Sequence, residues 1–244
     1  MRLYAIGDIH GQREALLAAH DRIHSDGGRD ALIVHVGDLI DRGPDSRGVV
    51  DYLLQGQAKG RPWIVLRGNH DRFLSAFLER PDWIDPSLSS RQHWLDDPGL
   101  GAAETLASYG VDIGKARHRV LAEARRAVPE RHRRFLAALQ PWYLHPLALA
   151  VHAGIRPGVG LLDQSEDDLL WVRHGFLESD LDFGPLVVHG HTSLFRATHY
   201  GNRLNIDSGA GHGRALSAVV IEPGEVHLLG DTGREQLVPT RSMG

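Results

Sequence analysis

Short apolar runs alternate with amphipathic segments in the first third of the chain. The runs predict strands at residues 2–6 (RLYAI), 31–36 (ALIVHV) and 63–67 (WIVLR). Between them, residues 11–25 and 47–58 place apolar side chains at helical spacing, and a further helix is expected to begin at the end of the GNHD sequence. This β-α-β-α-β order favours a parallel sheet with crossover helices.

The pattern changes in the middle of the chain. Residues from about 80 to 140 carry no strong strand pattern, and their spacing predicts a mostly helical insertion or cap. Apolar runs then return and predict strands at residues 147–154, 186–190, 203–209, 216–222 and 225–230. Their closer spacing toward the end of the chain favours antiparallel hairpins. Since no linker or repeat interrupts the sequence, we predict a single domain over 1–244.

Composition excludes several classes of protein. Of the 244 residues, 42% are apolar and 24% are charged, as in ordinary globular proteins. The net charge of −4 argues against an extended nucleic-acid-binding face. No apolar stretch reaches the roughly 18 residues of a membrane helix, and the N-terminal residues lack the apolar core of a signal peptide. The absence of cysteine removes thiolate metal ligands and fits a reducing compartment, so we expect a cytoplasmic protein without membrane contacts.

Polar residues cluster where the predicted strands end. The chain has 16 histidines, and several follow strands directly. The residues in this position are Asp8, His10, Asp38, Asp41, Asn69, His70, Asp71, His152, His189 and His191. Each has an ordinary explanation by itself, such as a helix cap, a turn former or a core histidine. In an open α/β sheet, however, the carboxyl ends of the strands form the ligand site, so five such strands together favour a functional centre.

The donor types indicate a metal site. Carboxylate, imidazole and amide oxygen without sulfur suit divalent manganese, iron, zinc, nickel or cobalt. Two cations ~3.5–4 Å apart are the usual arrangement for phosphate-ester hydrolysis, because together they clamp the phosphoryl oxygens and make hydroxide available near neutral pH. Two neighbouring cations need a shared carboxylate, and Asp38 is the natural bridge. We therefore expect two divalent ions, with manganese preferred.

Five motifs in order resemble those of the calcineurin-like metallophosphoesterases. They are GDIHG, GDLIDRG, RGNHD, VHAG and HGHT. The chain is most similar to the phosphoprotein phosphatase branch, which includes bacterial serine/threonine phosphatases and diadenosine tetraphosphatases. The resemblance runs from residue 3 to about 222 and includes DLLWVR and NIDSGAG. It implies an α/β metallophosphoesterase fold, in which a central sandwich of two mixed sheets is flanked by helices in four layers, with a helical insertion.

The resemblance also implies a set of metal ligands. The first metal would be held by Asp8, His10 and Asp38, and the second by Asp38, Asn69, His152 and His191. Asp38 would bridge the two ions. His191 is preferred to His189 because the matching histidine of the family lies in the GHT element.

The same resemblance implies the chemistry. A hydroxide that bridges the metals would attack phosphorus in line, without a covalent enzyme intermediate. His70 is suited to protonate the leaving oxygen as general acid, and Asp41 would orient its imidazole. Arg42 and Arg67 would grip the substrate phosphate through their planar donors. Arg173 is a third candidate, with the alternative of a surface salt bridge near Glu166 and Asp167.

The substrate remains open between two classes. The preferred hypothesis is a serine/threonine-type protein phosphatase with a shallow site for a phosphoprotein. The alternative is a dinucleoside polyphosphate hydrolase, which needs an adenine pocket from residues 80–140. Asp71 in GNHD is similar to the latter class, whereas HAGIRPG and DLLWVR resemble bacterial protein phosphatases and weigh more. A non-catalytic metal-bound scaffold is a third reading, disfavoured because neither a ligand nor the acid histidine is missing.

Overall fold

Two β-sheets and seven α-helices make up residues 1–240, the part of the chain that this computed structural model describes. The strands are β1 (Leu3–Ile6), β2 (Ile33–His35), β3 (Trp63–Val65), β4 (Trp142–His145), β5 (Ala148–Val151), β6 (Leu186–His189), β7 (Thr198–His199), β8 (Arg203–Asn205), β9 (Ala218–Glu222), β10 (Glu225–Gly230) and β11 (Gly233–Gln236). The helices are α1 (Arg13–Gly27), α2 (Ser46–Ala58), α3 (Asp71–Glu79), α4 (Ala102–Ser108), α5 (Arg117–Ala127), α6 (Glu130–Ala137) and α7 (Glu166–Trp171). Within this range, every helix is too short or too polar to cross a bilayer.

The first sheet has the order β11-β10-β9-β1-β2-β3. Strands β1, β2 and β3 are parallel and are joined by α1 and α2, as the sequence predicts. Strands β9, β10 and β11 form consecutive antiparallel hairpins, and β9 pairs antiparallel with β1. The sequence does not predict β11, because its residues, GREQ, lack alternating apolar positions and are exposed.

The second sheet has the order β4-β5-β6-β8-β7. Strands β5, β6 and β8 are parallel, and the edge strands β4 and β7 pair antiparallel with their neighbours. Neither edge strand is predicted from the sequence. Strand β7 has two residues, and β4 (WYLH) is a run of four residues of which only His145 is buried.

Alternating side chains hold the four layers together. In β1, Leu3 and Ala5 pack between the two sheets, whereas Tyr4 and Ile6 face the helices α1 and α2. The outer face of the second sheet packs against α7 through Leu169. Because burying a leucine or isoleucine side chain contributes roughly 1.5–3 kcal/mol, a one-residue shift of β1 would reverse every contact of this strand at high cost. The predicted four-layer α/β sandwich is confirmed.

The predicted insertion contains α4, α5 and α6, and residues 80–139, all of which are described, contain no strand. It is less helical than the sequence suggests, since residues 80–101 form loops and turns. Pro81, Pro86 and Pro98 fall in this part and are incompatible with a helix interior. The helices of the insertion pack against α2 and α3. This packing brings residues 80–101 to the carboxyl ends of the first three strands.

Candidate metal centre and active site

The turns that follow β1, β2, β3 and β6 meet in a cleft of about 290 Å³. The predicted site residues that line it are Asp8, His10, Asp38, Arg42, Asn69, His70, Arg173 and His191. His152, which follows β5, is fully buried and contacts Asp38 and Asn69. The strand order therefore brings together residues that are as much as 183 positions apart, as in the contact of Asp8 with His191.

His10 and Asp8 occupy one side of the cleft. The Nδ1 of His10 donates to the carbonyl oxygen of Ile40 at 3.0 Å, so its Nε2 carries a lone pair. This Nε2 accepts from a guanidinium nitrogen of Arg42 at 2.8 Å and lies 3.3 Å from the Oδ2 of Asp38. The Oδ2 of Asp8 accepts from the backbone N–H of His191 at 2.9 Å. Its Oδ1 is buried without a hydrogen-bond partner among residues 1–240. A cation at this position would satisfy that oxygen.

Three ligand atoms converge on the other side. The Oδ1 of Asn69 lies 2.9 Å from the Nε2 of His152 and 2.8 Å from the Nδ1 of His191. Because the Nδ1 of His152 donates to the carbonyl oxygen of Val36 at 3.0 Å, its Nε2 presents a lone pair to the amide oxygen. Two facing acceptors repel each other unless a cation lies between them. Burial also lowers the pKa of His152 and His191, which favours the neutral imidazole that metals bind.

Asp38 lies between these two groups. Its Oδ2 faces His10, and its Oδ1 is 3.4 Å from the Nε2 of His152. Burial by itself raises the pKa of Asp38, but His152, His70 and His10 outweigh it, so that the carboxyl titrates well below its usual range. Two buried trios of potential ligands, His10 with Asp38 and His70, and Asp8 with Asp38 and His152, share this residue. This geometry fits a carboxylate that bridges two cations.

Negative charge is concentrated in the cleft. Asp8 is 2% exposed, and burial together with the carboxylates of Asp207 and Asp38 raises its pKa well above the usual range. Buried carboxylates in this density are costly unless cations compensate them. The donor types, the unpartnered oxygen of Asp8 and this charge all fit two divalent ions.

The backbone around the ligands is strained. Among the non-glycine residues of the described range, positive φ angles occur at one residue outside the site and at His10 (46°), Asp38 (50°), Asp41 (75°), Arg42 (66°) and His191 (64°). Such conformations cost of order 1–3 kcal/mol each and concentrate at functional sites. The glycine before His191 is required as well, because a Cβ at Gly190 would collide with the Oδ1 of Asp8.

His70 and Asp41 form a buried pair beside the metal ligands. The Nδ1 of His70 lies 2.8 Å from the Oδ2 of Asp41, and its Nε2 faces the cleft, 3.0 Å from a guanidinium nitrogen of Arg42. Burial lowers the pKa of His70, whereas the carboxylates of Asp38 and Asp41 oppose this shift. The ring is thus held with one nitrogen on a carboxylate and the other directed at the place where a substrate would lie.

Arg42 and Arg173 line the cleft, but Arg67 does not. Arg67 extends β3, pairs with Glu166 and donates to the carbonyl oxygen of Ala137 at 2.7 Å in a separate cavity. Proximity in sequence to Asn69 does not place Arg67 on the same side, because the chain leaves the extended conformation after Leu66 and turns at Asn69 and His70. Within residues 1–240, Arg173 forms no salt bridge with Glu166 or Asp167; Glu166 pairs with Arg67, and Asp167 pairs with Arg72.

Three further residues near the site, His189, Asp207 and Trp94, differ in what they contact. His189 is buried, its ring packs against Phe176, and it does not line the cleft, in contrast to His191. Asp207 lines the cleft, and burial raises its pKa. Trp94 packs in the hydrophobic core, and its indole N–H donates to the Oδ2 of Asp41 at 3.1 Å.

No pattern in the sequence indicates that Thr105 belongs to the site. Its hydroxyl donates to the Oδ1 of Asp41 at 2.7 Å across 64 positions of sequence. No motif surrounds Thr105, and only the packing of α4 against α2 brings it to Asp41.

Comparison with known sequences gives a consistent result. The sequence profile of the family described as calcineurin-like phosphoesterase matches residues 1–207. Serine/threonine-protein phosphatase 1 of Salmonella typhimurium is 28% identical over 232 residues, which cover 90% of this chain and 92% of that protein. A symmetrical bis(5'-nucleosyl)-tetraphosphatase of Cellvibrio japonicus is 36% identical over 122 residues, which cover 46% of this chain and 44% of that protein. The chain thus matches less than half the length of this second relative.

Known structures agree on the fold. The crystal structure of a candidate diadenosine tetraphosphatase has a TM-score of 0.65 at 21% identity and covers 98% of this chain and 95% of its own. A cold-active protein tyrosine phosphatase has a TM-score of 0.61 at 20% identity and covers 98% of this chain and 79% of its own. At these identities the likeness concerns the fold alone. Since the family profile spans most of the chain and includes every predicted site residue, the protein belongs to the calcineurin-like phosphoesterase family.

Proposed function

We propose that this metallophosphoesterase removes phosphate from phosphoserine or phosphothreonine in proteins. The observation that carries the proposal is the size and lining of the cleft. Its volume of about 290 Å³ is just below the ~300–1,000 Å³ found for small-molecule pockets. The insertion contributes only Leu88 and Leu100 to its walls, and Trp171 of α7, which also lines the cleft, packs edge-to-face against the ring of His191. Such a cleft suits a phosphate on a protein loop better than a dinucleotide.

The side chains would hold two divalent cations, with manganese preferred. Asp8 and His10 would hold one cation, Asn69, His152 and His191 the other, and Asp38 both. When bound, the cations would make hydroxide available near neutral pH and stabilise the charge on the phosphoryl oxygens.

The remaining residues would bind the phosphate and protonate the alcohol. Arg42 and Arg173 line the cleft and would hold the phosphate through charge-assisted hydrogen bonds. As the attacking oxygen bonds to phosphorus, the bond to the ester oxygen breaks, and its electron pair stays on that oxygen. His70 donates a proton from Nε2 to the leaving oxygen, which departs as the serine or threonine hydroxyl. Asp41 holds the ring in place through Nδ1.

Replacing Arg173 with methionine is expected to lower kcat/KM for a phosphopeptide by about 10- to 100-fold, because a charged hydrogen-bond donor to the phosphate is lost. Steady-state kinetics with manganese measures this effect. Arg67→Met is the matched control, since that guanidinium lies outside the cleft, and it should change kcat/KM by less than about threefold. Equal losses in the two variants would contradict the phosphate-binding assignment of Arg173.

The substrate class is tested by turnover of a phosphothreonine peptide and of diadenosine tetraphosphate, side by side with manganese. We expect faster turnover of the peptide. We also expect chelation to abolish hydrolysis of p-nitrophenyl phosphate, and added manganese to restore it, because the catalytic hydroxide depends on the cations. Faster turnover of the dinucleotide would favour the alternative, and cation binding without any hydrolysis would favour a scaffold.

A dinucleoside polyphosphate hydrolase is the second candidate, and the relative in Cellvibrio japonicus supports it. The GNHD motif alone suggests that Asp71 favours this second candidate, but the structure weakens that argument. The carboxylate of Asp71 accepts from the backbone N–H groups of Leu39 and Gly68, both at 2.8 Å, and does not line the cleft. Asp71 thus ties together the turns that carry Asp38 and Asn69, a role that does not depend on the substrate.

A further inference from the structure

We propose that the insertion positions the catalytic acid, and that Trp94 and Thr105 are the residues through which it does so. They would fix the carboxylate of Asp41 and, through it, the imidazole of His70. The inference rests on the proposed function, because it concerns the group that protonates the leaving oxygen.

The carboxylate of Asp41 is held on both oxygens. Its Oδ1 accepts from the hydroxyl of Thr105 at 2.7 Å, and its Oδ2 accepts from the indole N–H of Trp94 at 3.1 Å and from His70 at 2.8 Å. Asp41 and Thr105 are fully buried, and Trp94 is 3% exposed, so water does not compete for these bonds. A carboxylate held by the imidazole alone could rotate about its bond to Cβ. The two additional donors fix its plane, and with it the direction of the histidine ring.

The same region also encloses the backbone at Asp41. The hydroxyl of Thr105 accepts from the backbone N–H of Asp41 at 2.8 Å and lies 3.0 Å from the Oγ of Ser46. Gly101, at the start of α4, lies against the backbone of Arg42, the residue that follows Asp41. A Cβ at Gly101 would collide with the backbone nitrogen of Arg42. Since Asp41 and Arg42 both have positive φ, these contacts support a turn that would otherwise relax.

Trp94 and Thr105 form hydrogen bonds to the residue that orients the acid and not to the predicted metal ligands. The side-chain hydrogen bonds of Thr105 go to Asp41 and Ser46, and that of Trp94 goes to Asp41. None of these partners is among the predicted metal ligands. Changing either residue should therefore affect protonation of the leaving group and leave cation binding intact.

The test compares leaving groups. Phenyl phosphate needs its leaving oxygen protonated, whereas p-nitrophenyl phosphate has a leaving group that departs with little help from an acid. We expect Thr105→Val, which keeps the shape and removes the hydroxyl, to lower kcat for phenyl phosphate by about 10- to 100-fold and kcat for p-nitrophenyl phosphate by less than about threefold. Thr105→Ser should restore kcat for phenyl phosphate, and Trp94→Phe should show the same selectivity to a smaller degree. Elemental analysis should find unchanged manganese in all three variants.

The outcomes are distinguishable. Equal loss on both substrates, no loss on either, or failure of serine to restore kcat would overturn the positioning role, because a structural defect affects every substrate alike. Should Thr105→Val not fold, Trp94→Phe decides with the same pair of substrates, since phenylalanine retains most of the buried ring. A wild-type protein with manganese that hydrolyses neither substrate would overturn the proposed function itself.

Discussion

Replacing His70 with asparagine is expected to lower turnover of phenyl phosphate by about 10²–10⁴-fold, the usual contribution of a general acid, while both cations remain bound. Asparagine lacks an ionisable group, so its amide N–H cannot transfer a proton to the leaving oxygen. The geometry also allows a competing role, because His70 lies with His10 and Asp38 within the distance of a shared metal ion. Kinetics and metal content must therefore be measured on the same sample.

The loss should depend on the leaving group, with p-nitrophenyl phosphate affected least. His118→Asn is a suitable control, because this histidine is exposed on α5 and far from the motifs in sequence. It should leave turnover and metal content unchanged. A His70→Asn protein with undiminished turnover of phenyl phosphate would refute the acid assignment, and one that has lost a cation would show that His70 is a ligand.

Replacing Asp38 with asparagine is expected to remove cations and activity together. The residue is 2% exposed, and its oxygens face His10 and His152, so an amide would place a neutral group where the two sites need shared negative charge. We expect the manganese content to fall from about two equivalents to one or none. Because a metal supplies several kcal/mol of transition-state stabilisation, turnover of p-nitrophenyl phosphate should fall by at least about 10³-fold.

Asp41→Asn is the matched control for this change. It alters a buried carboxylate in the same motif, GDLIDRG. The partners of Asp41, however, are His70, Trp94 and Thr105. Its manganese content should stay at about two equivalents while turnover of phenyl phosphate falls. Two tightly bound equivalents in Asp38→Asn would count against the bridging role.

The fold was predictable where strands are buried on both faces and form continuous apolar runs. The runs that became β1, β2 and β3 are apolar on both faces, because helices cover one side of the first sheet and the second sheet covers the other. Edge strands such as β7 and β11 lack this double burial, so their sequences carry no comparable signal. In residues 80–101, prolines and turns prevailed over the apolar spacing that suggested helix.

The candidate site was predictable where a motif directly follows a strand. Asp8, Asp38 and Asn69 are carried to the cleft by the strand ends themselves, so their position in the sequence is sufficient. The position of Arg67 in the RGNHD motif predicts contact with the phosphate, but a position in sequence does not give the direction of a side chain, and Arg67 lies in a separate cavity. Thr105 depends on how α4 packs, which no local pattern encodes.

The central claim is that side chains from separate strands hold two neighbouring cations. Anomalous diffraction from manganese-soaked crystals tests it most directly. The account predicts two peaks ~3.5–4 Å apart, one beside His10 and the other beside Asn69 and His152, with Asp38 between them. A single peak, no peak in the cleft, or manganese only at the surface cluster of Glu222, Glu225 and His227 would contradict it.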